Sequence, residues 1–129
     1  MNTELQEHGI ISMNSRYSVA ESVARISAAL RAKGITIFAV IDQSREAEKV
    51  GLVLRPTQLI IFGDPKAGTP LMNDFPSLAI DLPLKVLIWE ETGGQVQVAY
   101  NSPGYLKRRH ALAQEPFVAT GALLLKAIE

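Results

Sequence analysis

The feature of this sequence that most constrains its fold is the stretch Leu59–Met72, LIIFGDPKAGTPLM. Its first four residues are apolar and predict a buried strand, which Gly63 ends. The next residues form what we call the central loop, residues 63–70. Thr69 followed by Pro70 has the pattern of a helix N-cap with proline at the first helical position. A strand, a polar loop and a helix start in this order predict a place where backbone N–H groups converge.

Composition indicates an ordinary soluble protein. With 129 residues, the chain is long enough for one domain over residues 1–129, and residues 1–8 are predicted to form a flexible tail. Thirteen basic residues balance 13 acidic ones, which disfavours nucleic acid and anionic membranes as partners. The absence of cysteine excludes disulfides, thiol catalysis and thiolate metal sites. No apolar run approaches the ~20 residues that span a bilayer, and no secretory signal is visible, so we expect a cytoplasmic protein.

The strongest helix signal begins at Ser18. Ser18 and Glu21 form a capping box, in which the hydroxyl accepts a hydrogen bond from the Glu21 N–H group. Gly34 has the place of a residue that ends a helix. The apolar stripe between them consists of Val19, Val23, Ile26 and Leu30.

The other segments predict several strands and short helices. Residues 35–41, 57–62, 84–91 and 95–101 read as strands, the last two joined in a hairpin through Thr92-Gly93-Gly94, and a short first strand is predicted over 9–13. Helices are predicted over 43–50 with Asp42 as cap, from Thr69, around 77–80, over 103–112, and from Glu115-Pro116 with Phe117, Leu124, Leu125 and Ile128 as its buried face. This order predicts an α+β fold with an antiparallel sheet and helices mainly on one face.

Several motifs resemble one known family of bacteria and archaea, the domain of unknown function 302 family. They lie within residues 35–112 and are Ile41-Asp42, Gly51-Leu52, Leu59–Met72, Ala79–Leu84, Tyr100-Asn101, Pro103, Tyr105-Leu106 and Arg109-His110. The resemblance implies a TATA-binding-protein-like α+β fold of order β-α-β(4)-α and brings no established activity. This chain departs from the family in having Gln43 where histidine usually follows the aspartate, and Asp64 where asparagine is common. An acid–base or metal role for that histidine is therefore not available here.

The central loop is one lysine short of a phosphate-binding P-loop. Gly63, four residues, Gly68 and Thr69 match the motif, but the lysine that would reach the phosphates is missing, and Pro65 removes a backbone donor. Lys66 and the helix start could still hold a carboxylate or a phosphate. The alternative is a tight loop that needs glycine only for its geometry.

The basic segment Lys107–His110 is the second candidate. The side chains of four consecutive helical residues point in all directions, so exposure of this basic segment to solvent is the default interpretation. Arg109 and His110 are predicted to turn inward because Leu106 lies one turn earlier on that side, and His110 is the plausible general base near neutral pH.

Two functions remain open from the sequence. The first is a non-enzymatic dimeric module that binds a small anionic or apolar ligand near the central loop. The alternative is a small-molecule enzyme that uses Asp42, Asp64 or His110 as acid or base. No catalytic residue, metal ligand or cofactor is predicted. The candidate ligand-binding residues are Asp42, Gly63, Asp64, Lys66, Gly68, Thr69, Tyr100, Arg109 and His110.

A homodimer built on the sheet is also predicted, because the strands are apolar on both faces. In residues 35–41, Ile35, Ile37 and Ile41 are assigned to one face and Phe38 and Val40 to the other. The predicted helices can cover one face completely and the other only in part. A second copy of the chain is the simplest cover for the remainder, with residues 73–83 or an apolar ligand as alternatives.

Overall fold

A five-stranded antiparallel sheet organises this protein, whose structure, a computed structural model, describes residues 3–129. The elements in chain order are α1 (Thr3–Glu7), β1 (Ile10–Ser15), α2 (Val19–Ala32), β2 (Thr36–Asp42), α3 (Gln43–Lys49), β3 (Thr57–Gly63), α4 (Pro65–Asp74), a 3-10 helix (Pro76–Ile80), β4 (Leu84–Glu90), β5 (Val96–Asn101), α5 (Pro103–His110) and α6 (Thr120–Ala127). The strand order across the sheet is β1-β5-β4-β3-β2. The α+β fold with an antiparallel sheet is confirmed.

The N-terminal part differs from the prediction in one respect. The sequence predicted no regular element before Gly9, but α1 occupies Thr3–Glu7, within the segment assigned to a tail. Residues 1 and 2 lie outside the described part of the chain. Strand β1 runs two residues beyond the predicted end at residue 13, because Asn14 and Ser15 pair with Gln97 and Val96.

Helix α2 confirms the capping and periodicity signals. The Ser18 hydroxyl accepts a hydrogen bond from the Glu21 N–H group at 3.0 Å. Ile26 and Leu30 are 0% exposed, as expected for a stripe that faces a core. Gly34 has a φ of 72°, the left-handed conformation that glycine adopts easily at a helix C-terminus.

The helix after the central loop begins earlier than predicted. Thr69 is not its N-cap, because Asp64 caps α4 and Pro65 is the first helical residue. This segment contains two cap–proline pairs, Asp64-Pro65 and Thr69-Pro70. The helix begins at the first pair, because Asp64 Oδ1 accepts a hydrogen bond from the Lys66 N–H group at 3.0 Å. Pro70 then lies inside the helix, where it cannot supply the usual N–H donor to the carbonyl four residues earlier.

The last helix begins later than predicted. The helix was predicted to begin at residues 115–116. Phe117 has a φ of 54°, which a right-handed helix does not allow, so the helix begins only at Thr120. Of the four side chains assigned to its buried face, Leu124 and Ile128 are buried, whereas Leu125 is 49% exposed.

The hydrophobic core lies on one face of the sheet, which we call the inner face. Helices α2 and α6 pack there against alternate residues of β3, β4 and β5. The buried members are Val19, Ile26, Leu30, Ile60, Phe62, Val86, Ile88, Val96, Val98, Leu124 and Ile128. The predicted gathering of helices on one face therefore agrees with the position of this core.

The opposite, outer face of the sheet is also apolar at its centre. The strand registers align Ile41 with Leu59, Leu59 with Leu87, and Thr57 with Trp89, so that these side chains adjoin one another. We call the six apolar residues that β2, β3 and β4 contribute to this face the outer patch: Ala39, Ile41, Leu59, Ile61, Leu87 and Trp89. Each is half-buried, and none belongs to the inner core.

A β-bulge corrects the predicted faces of β2. The register shifts between Ile37 and Ala39, so one extra residue lies between them. Ile37 pairs with Phe62 on the inner face, but Ile41 pairs with Leu59 on the outer face. The assignment of Ile37 and Ile41 to the same face is therefore wrong, because a bulge reverses the alternation of side chains beyond it.

Two substitutions in α2 test the core and the cap. We expect Ile26→Ala to lower the free energy of unfolding by about 2–5 kcal/mol, because the fully buried side chain leaves a cavity. Ser18→Ala is expected to cost about 0.5–2 kcal/mol through loss of the cap. Val118→Ala, at a position that is 68% exposed, is the control and should stay within about 0.5 kcal/mol of wild type. Urea denaturation measures all three, and a neutral Ile26→Ala would contradict the position of the core.

Candidate ligand-binding site

The start of α4 is occupied by its own carboxylate. Asp64 Oδ1 accepts the Lys66 N–H group, and the Asp64 carbonyl accepts the N–H groups of Ala67 at 3.0 Å and Gly68 at 2.9 Å. These are the donors that an external anion would need. The anion site expected from free N–H groups beyond Thr69 therefore lacks its geometric basis, since Thr69 lies within the helix.

A large cavity opens beside the same segment. Its volume is about 780 Å³, and it lies where the end of β3 and the start of α4 approach α6 and the residues before β4. Gly63, Asp64, Gly68 and Thr69 line this cavity, which we call the loop-side cavity. Its remaining lining residues are Lys33, Ile35, Phe38, Phe62, Pro65, Ala67, Met72, Leu82, Pro83, Leu84, Phe117, Ala119, Thr120, Ala122, Leu123 and Lys126.

The walls of the loop-side cavity are mostly apolar, because four elements turn their hydrophobic side chains toward it. Phe62 comes from the inner face of β3, and Leu123 comes from α6. Gly68 is buried at the wall, where an added Cβ would lie 3.5 Å from Leu82 and 3.8 Å from Met72. Glycine at this position thus leaves the wall space that a larger side chain would fill.

The charges at the cavity come from the ends of two helices. Lys33 is the C-cap residue of α2, and Lys126 is in the last turn of α6. Both side chains are exposed, and neither forms an ion pair within residues 4–129. Asp64 is the one carboxylate on the wall, and it caps α4. The lining therefore carries a net positive charge next to an apolar interior.

Sequence reasoning identified only one wall of this cavity. Four of the nine candidate residues line it, whereas Lys33, Lys126 and Phe117 were missed. These residues are far apart in sequence, and each has an ordinary local reading as a helix end or a loop residue. The signal that could have pointed to Phe117 is the break that it makes before α6.

The remaining candidates lie elsewhere. Lys66 does not line the cavity, and Asp42 caps α3 by accepting the Arg45 N–H group at 3.0 Å. The Ser44 hydroxyl also donates to Asp42 Oδ1 at 2.6 Å and, as the largest cause, lowers the pKa of Asp42. Tyr100 packs against the inner core, and this burial raises its pKa.

His110 belongs to a hydrogen-bonded trio that the sequence did not predict. Ser77 Oγ lies 2.8 Å from His110 Nδ1, and His110 Nε2 lies 2.5 Å from Asp81 Oδ2. Because a carboxylate only accepts, Nε2 carries the hydrogen, and in the neutral imidazole Nδ1 accepts from the Ser77 hydroxyl. We call Ser77, Asp81 and His110 the histidine trio. It joins both ends of the 3-10 helix to the last residue of α5.

The prediction that Arg109 and His110 both turn inward is half right. The His110 side chain is 3% exposed, but that of Arg109 is 45% exposed, because consecutive helical positions diverge by about 100°. Arg109 Nε nevertheless lies 3.4 Å from Asp81 Oδ2. The Tyr105 hydroxyl and, after it, the Asp81 carboxylate raise the pKa of Arg109.

Two further properties bear on what the site can hold. Across the described residues, no three histidine, aspartate or glutamate side chains come together as a metal site would require. The helices found between residues 3 and 129 include none with the length and apolar character needed to cross a bilayer.

Comparison with known proteins identifies the class of fold. The model of the family "Domain of unknown function DUF302" matches residues 11–129. The chain therefore belongs to the DUF302 family, and the resemblance predicted over residues 35–112 is confirmed and extends further. The crystal structure of an uncharacterized conserved DUF302 protein from Bacillus stearothermophilus has a TM-score of 0.76 at 16% identity, covering 93% of this chain and 95% of that one.

The chain also matches part of three longer proteins from Brucella. It is 39% identical over 118 residues to the fluoride-specific ion channel FluC 1 of Brucella suis, covering 92% of this chain and 46% of that protein. The same identity and length relate it to FluC 1 of Brucella abortus and FluC 2 of Brucella melitensis, with 44% of each covered. The chain thus spans about half the length of the curated relatives it matches.

The histidine trio yields a prediction about stability. We expect a double-mutant cycle of Asp81→Ala and His110→Ala to give a coupling energy of about 1–3 kcal/mol, because either variant removes the hydrogen bond between Asp81 Oδ2 and the buried His110 Nε2. Urea denaturation at pH 7.5 supplies the four free energies of unfolding. Lys107→Ala, at an exposed position of α5, should stay within about 0.5 kcal/mol of wild type. Strict additivity of the two variants would show that the bond contributes nothing.

Proposed function

We propose that this protein is a binding module for an amphipathic organic anion, with the apolar body of the ligand in the loop-side cavity and its anionic head at Lys33 and Lys126. The observation that carries the proposal is an apolar cavity of about 780 Å³ bordered by two lysines without ion-pair partners within residues 4–129. Small-molecule sites commonly have about 300–1,000 Å³ and an apolar lining with a few polar groups.

This proposal joins the two ligand classes that the sequence left open. An apolar interior favours burial of a hydrocarbon body, at roughly 25 cal/mol for each Å² removed from water. The lysines lie at the ends of flexible stems, so each can keep its ammonium group in water and still reach an anionic head. The Asp64 carboxylate disfavours a small anion buried against the helix start, and this supports a head group on the lysine side.

Binding of a matched pair of ligands tests the proposal. We expect dodecanoate to bind about threefold to tenfold more tightly than dodecanol, because two exposed ion pairs contribute roughly 0.2–1 kcal/mol each. Acetate shares the head without the body and should not bind at millimolar concentration. Isothermal titration below the micelle concentration measures these affinities. A failure of both twelve-carbon ligands to bind would contradict the proposal.

Two variants test separately how the apolar body of the ligand and its anionic head contribute to binding. Ala122→Phe places a ring at an exposed wall position and should abolish binding of both ligands, whereas Ala28→Phe on α2, which does not line the cavity, is the matched control. The double variant Lys33→Met/Lys126→Met should remove the preference for dodecanoate and leave dodecanol unchanged. The control is the double variant Lys49→Met/Lys107→Met, which removes the same charge from exposed positions outside the cavity. Equal effects of the two double variants would argue against a local head site.

Fluoride is a probe suggested by the names of the longer relatives. Those names describe whole proteins, of which this chain matches less than half. An apolar cavity cannot replace the hydration shell of a small anion, so we expect sodium fluoride to cause no change in melting temperature beyond that of sodium chloride. A larger fluoride-specific shift would direct the search for a ligand away from the loop-side cavity.

Acyl transfer by Ser77 is the second candidate, and the histidine trio favours it. Ser77 Oγ could attack an ester carbonyl while its proton passes to His110 Nδ1, which then protonates the departing alkoxide; water would release the acyl group by the same route. Ser77 is exposed but does not line the loop-side cavity. Asp42 and Asp64 cap helices, so His110 remains the one candidate acid or base of the three that the sequence offered.

Covalent labelling decides whether the second candidate is correct. An active Ser77 would react with a fluorophosphonate and hydrolyse p-nitrophenyl acetate, and Ser77→Ala would abolish both reactions. Ser44→Ala is the control, because its hydroxyl donates to a helix-capping carboxylate and has no histidine partner. No labelling of the wild-type protein would eliminate acyl transfer and leave the binding proposal standing.

A further inference from the structure

A second and much smaller cavity adjoins the loop-side cavity. Its volume is about 10 Å³, close to the space that a single water-sized group requires. We call it the small cavity. Four residues line both cavities, so the two lie next to each other: Phe62, Leu84, Phe117 and Thr120. A ligand that fills the loop-side cavity therefore lies against the walls of the small cavity.

The small cavity is distinguished by its polar lining. Almost half of the residues around it carry a polar or charged side chain, and these are Asp81, Lys85, Tyr100, Asn101 and Thr120. A polar space of this size suits one oxygen atom that forms hydrogen bonds, and it does not suit a further part of a hydrocarbon body.

The Tyr100 hydroxyl is the group in this cavity that most needs a partner. It forms no hydrogen bond with any residue between 3 and 129, although the tyrosine ring packs against the inner core. Tyrosine hydroxyls that leave bulk water usually find a hydrogen-bond partner. Burial raises the pKa of Tyr100, so the hydroxyl keeps its proton at neutral pH and can donate it to an acceptor.

A glycine brings this hydroxyl close to α6. A Cβ atom added at Gly121 would overlap the Tyr100 hydroxyl, so the hydroxyl lies directly against the helix backbone at that residue. Thr120, the preceding residue, lines both cavities and begins α6. The Tyr100 hydroxyl is thereby held at the point of α6 where the two cavities adjoin.

The small cavity also contains a hydrogen-bond acceptor. Asp81 lines it, and this carboxylate accepts from His110 Nε2 on the side of the histidine trio. A carboxylate has acceptor capacity for more than one donor. An alcohol can accept from Tyr100 and donate to Asp81, whereas a ketone or an ether can only accept. A second anionic group would be repelled by Asp81, so the lining favours a neutral hydroxyl.

Helix α6 sets the distance between this cavity and the anionic head of the ligand. Thr120 and Lys126 are six residues apart on α6, which corresponds to about 9 Å along the helix axis. An extended chain advances about 1.2 Å per bond, since three backbone bonds span about 3.6 Å. A body of about eight carbons covers the helix distance, and the flexible stem of Lys126 extends the range to about twelve carbons.

We propose that the small cavity is a subsite for one hydroxyl group of the ligand, and that the ligand is an amphipathic organic acid that carries this hydroxyl about eight to twelve carbons from its carboxylate. Tyr100 donates to the hydroxyl oxygen, and Asp81 accepts its hydrogen. This inference rests on the proposed function, because it requires the body of the ligand in the loop-side cavity and its head at the lysines.

Matched pairs of acids test the subsite. Octanoate, decanoate and dodecanoate are each compared with the acid of the same length that has a hydroxyl on its last carbon, by isothermal titration at pH 7.5 below the micelle concentration. A hydroxyl buried in an apolar cavity without a partner weakens binding. In the subsite it gains hydrogen bonds, so we expect at least one of the three hydroxy acids to bind about threefold to tenfold more tightly than its parent.

Tyr100→Phe removes the donor and keeps the ring. We expect this variant to abolish the gain from the hydroxyl and to leave the affinity for the parent acid within about twofold of wild type, since the apolar walls are unchanged. Tyr17→Phe is the matched control, because it removes a hydroxyl that donates to the Glu129 carbonyl at 2.8 Å and lies outside both cavities. Thr120→Val is the second variant if Tyr100→Phe does not fold, and it should reduce the same gain.

The possible failures can be told apart. Weaker binding of all three hydroxy acids to the wild-type protein, with normal binding of the parents, would overturn the subsite, assign the small cavity to a water molecule and leave the proposed function intact. A gain that persists in both Tyr100→Phe and Thr120→Val would place the hydroxyl elsewhere and would also overturn the subsite. Failure of the parent acids and the hydroxy acids alike to bind would refute the proposed function itself, and the subsite with it.

Discussion

The packing of α2 against the inner face of the sheet is the contact on which the rest of the structure depends. Ile26 and Leu30 are fully buried there, and they adjoin the inner-facing residues of the central strands. A single helix can cover only part of a five-stranded sheet, since a helix is about 10 Å wide and the sheet about 20 Å. Helix α6 covers a further part, and the loop-side cavity lies where α6, the end of α2 and the start of α4 leave a space between them.

The sequence predicted most of the fold because its signals are local. The caps at Ser18 and Asp42 depend on residues within three positions of one another, and each forms as predicted. The two failures at helix starts arose where local signals conflict. Two cap–proline pairs precede α4, and the first is used; before α6, the positive φ of Phe117 depends on its tertiary surroundings.

The candidate site was less predictable because its parts are distant in the sequence. The strand-to-helix stretch contributes one wall, and this part was found. Lys33 and Lys126 come together at the cavity only through the packing of α2 with α6, which no motif records. The same holds for Ser77 and Asp81, each of which reads locally as an ordinary turn residue until α5 brings His110 to them. The bulge in β2 is likewise invisible in an unbroken apolar run.

The alternation of side chains explains how one small sheet can carry two separate apolar surfaces. Along β3, Phe62 lines the loop-side cavity, whereas its neighbour Ile61 points to the outer patch; along β4, Leu84 and Leu87 divide in the same way. The continuous apolar runs of β3 and β4 therefore supply side chains to both surfaces, and burial in a core is not their only cause. A shift of either strand by one residue would exchange the two sets of side chains, so the hairpin between β4 and β5 fixes both surfaces at once.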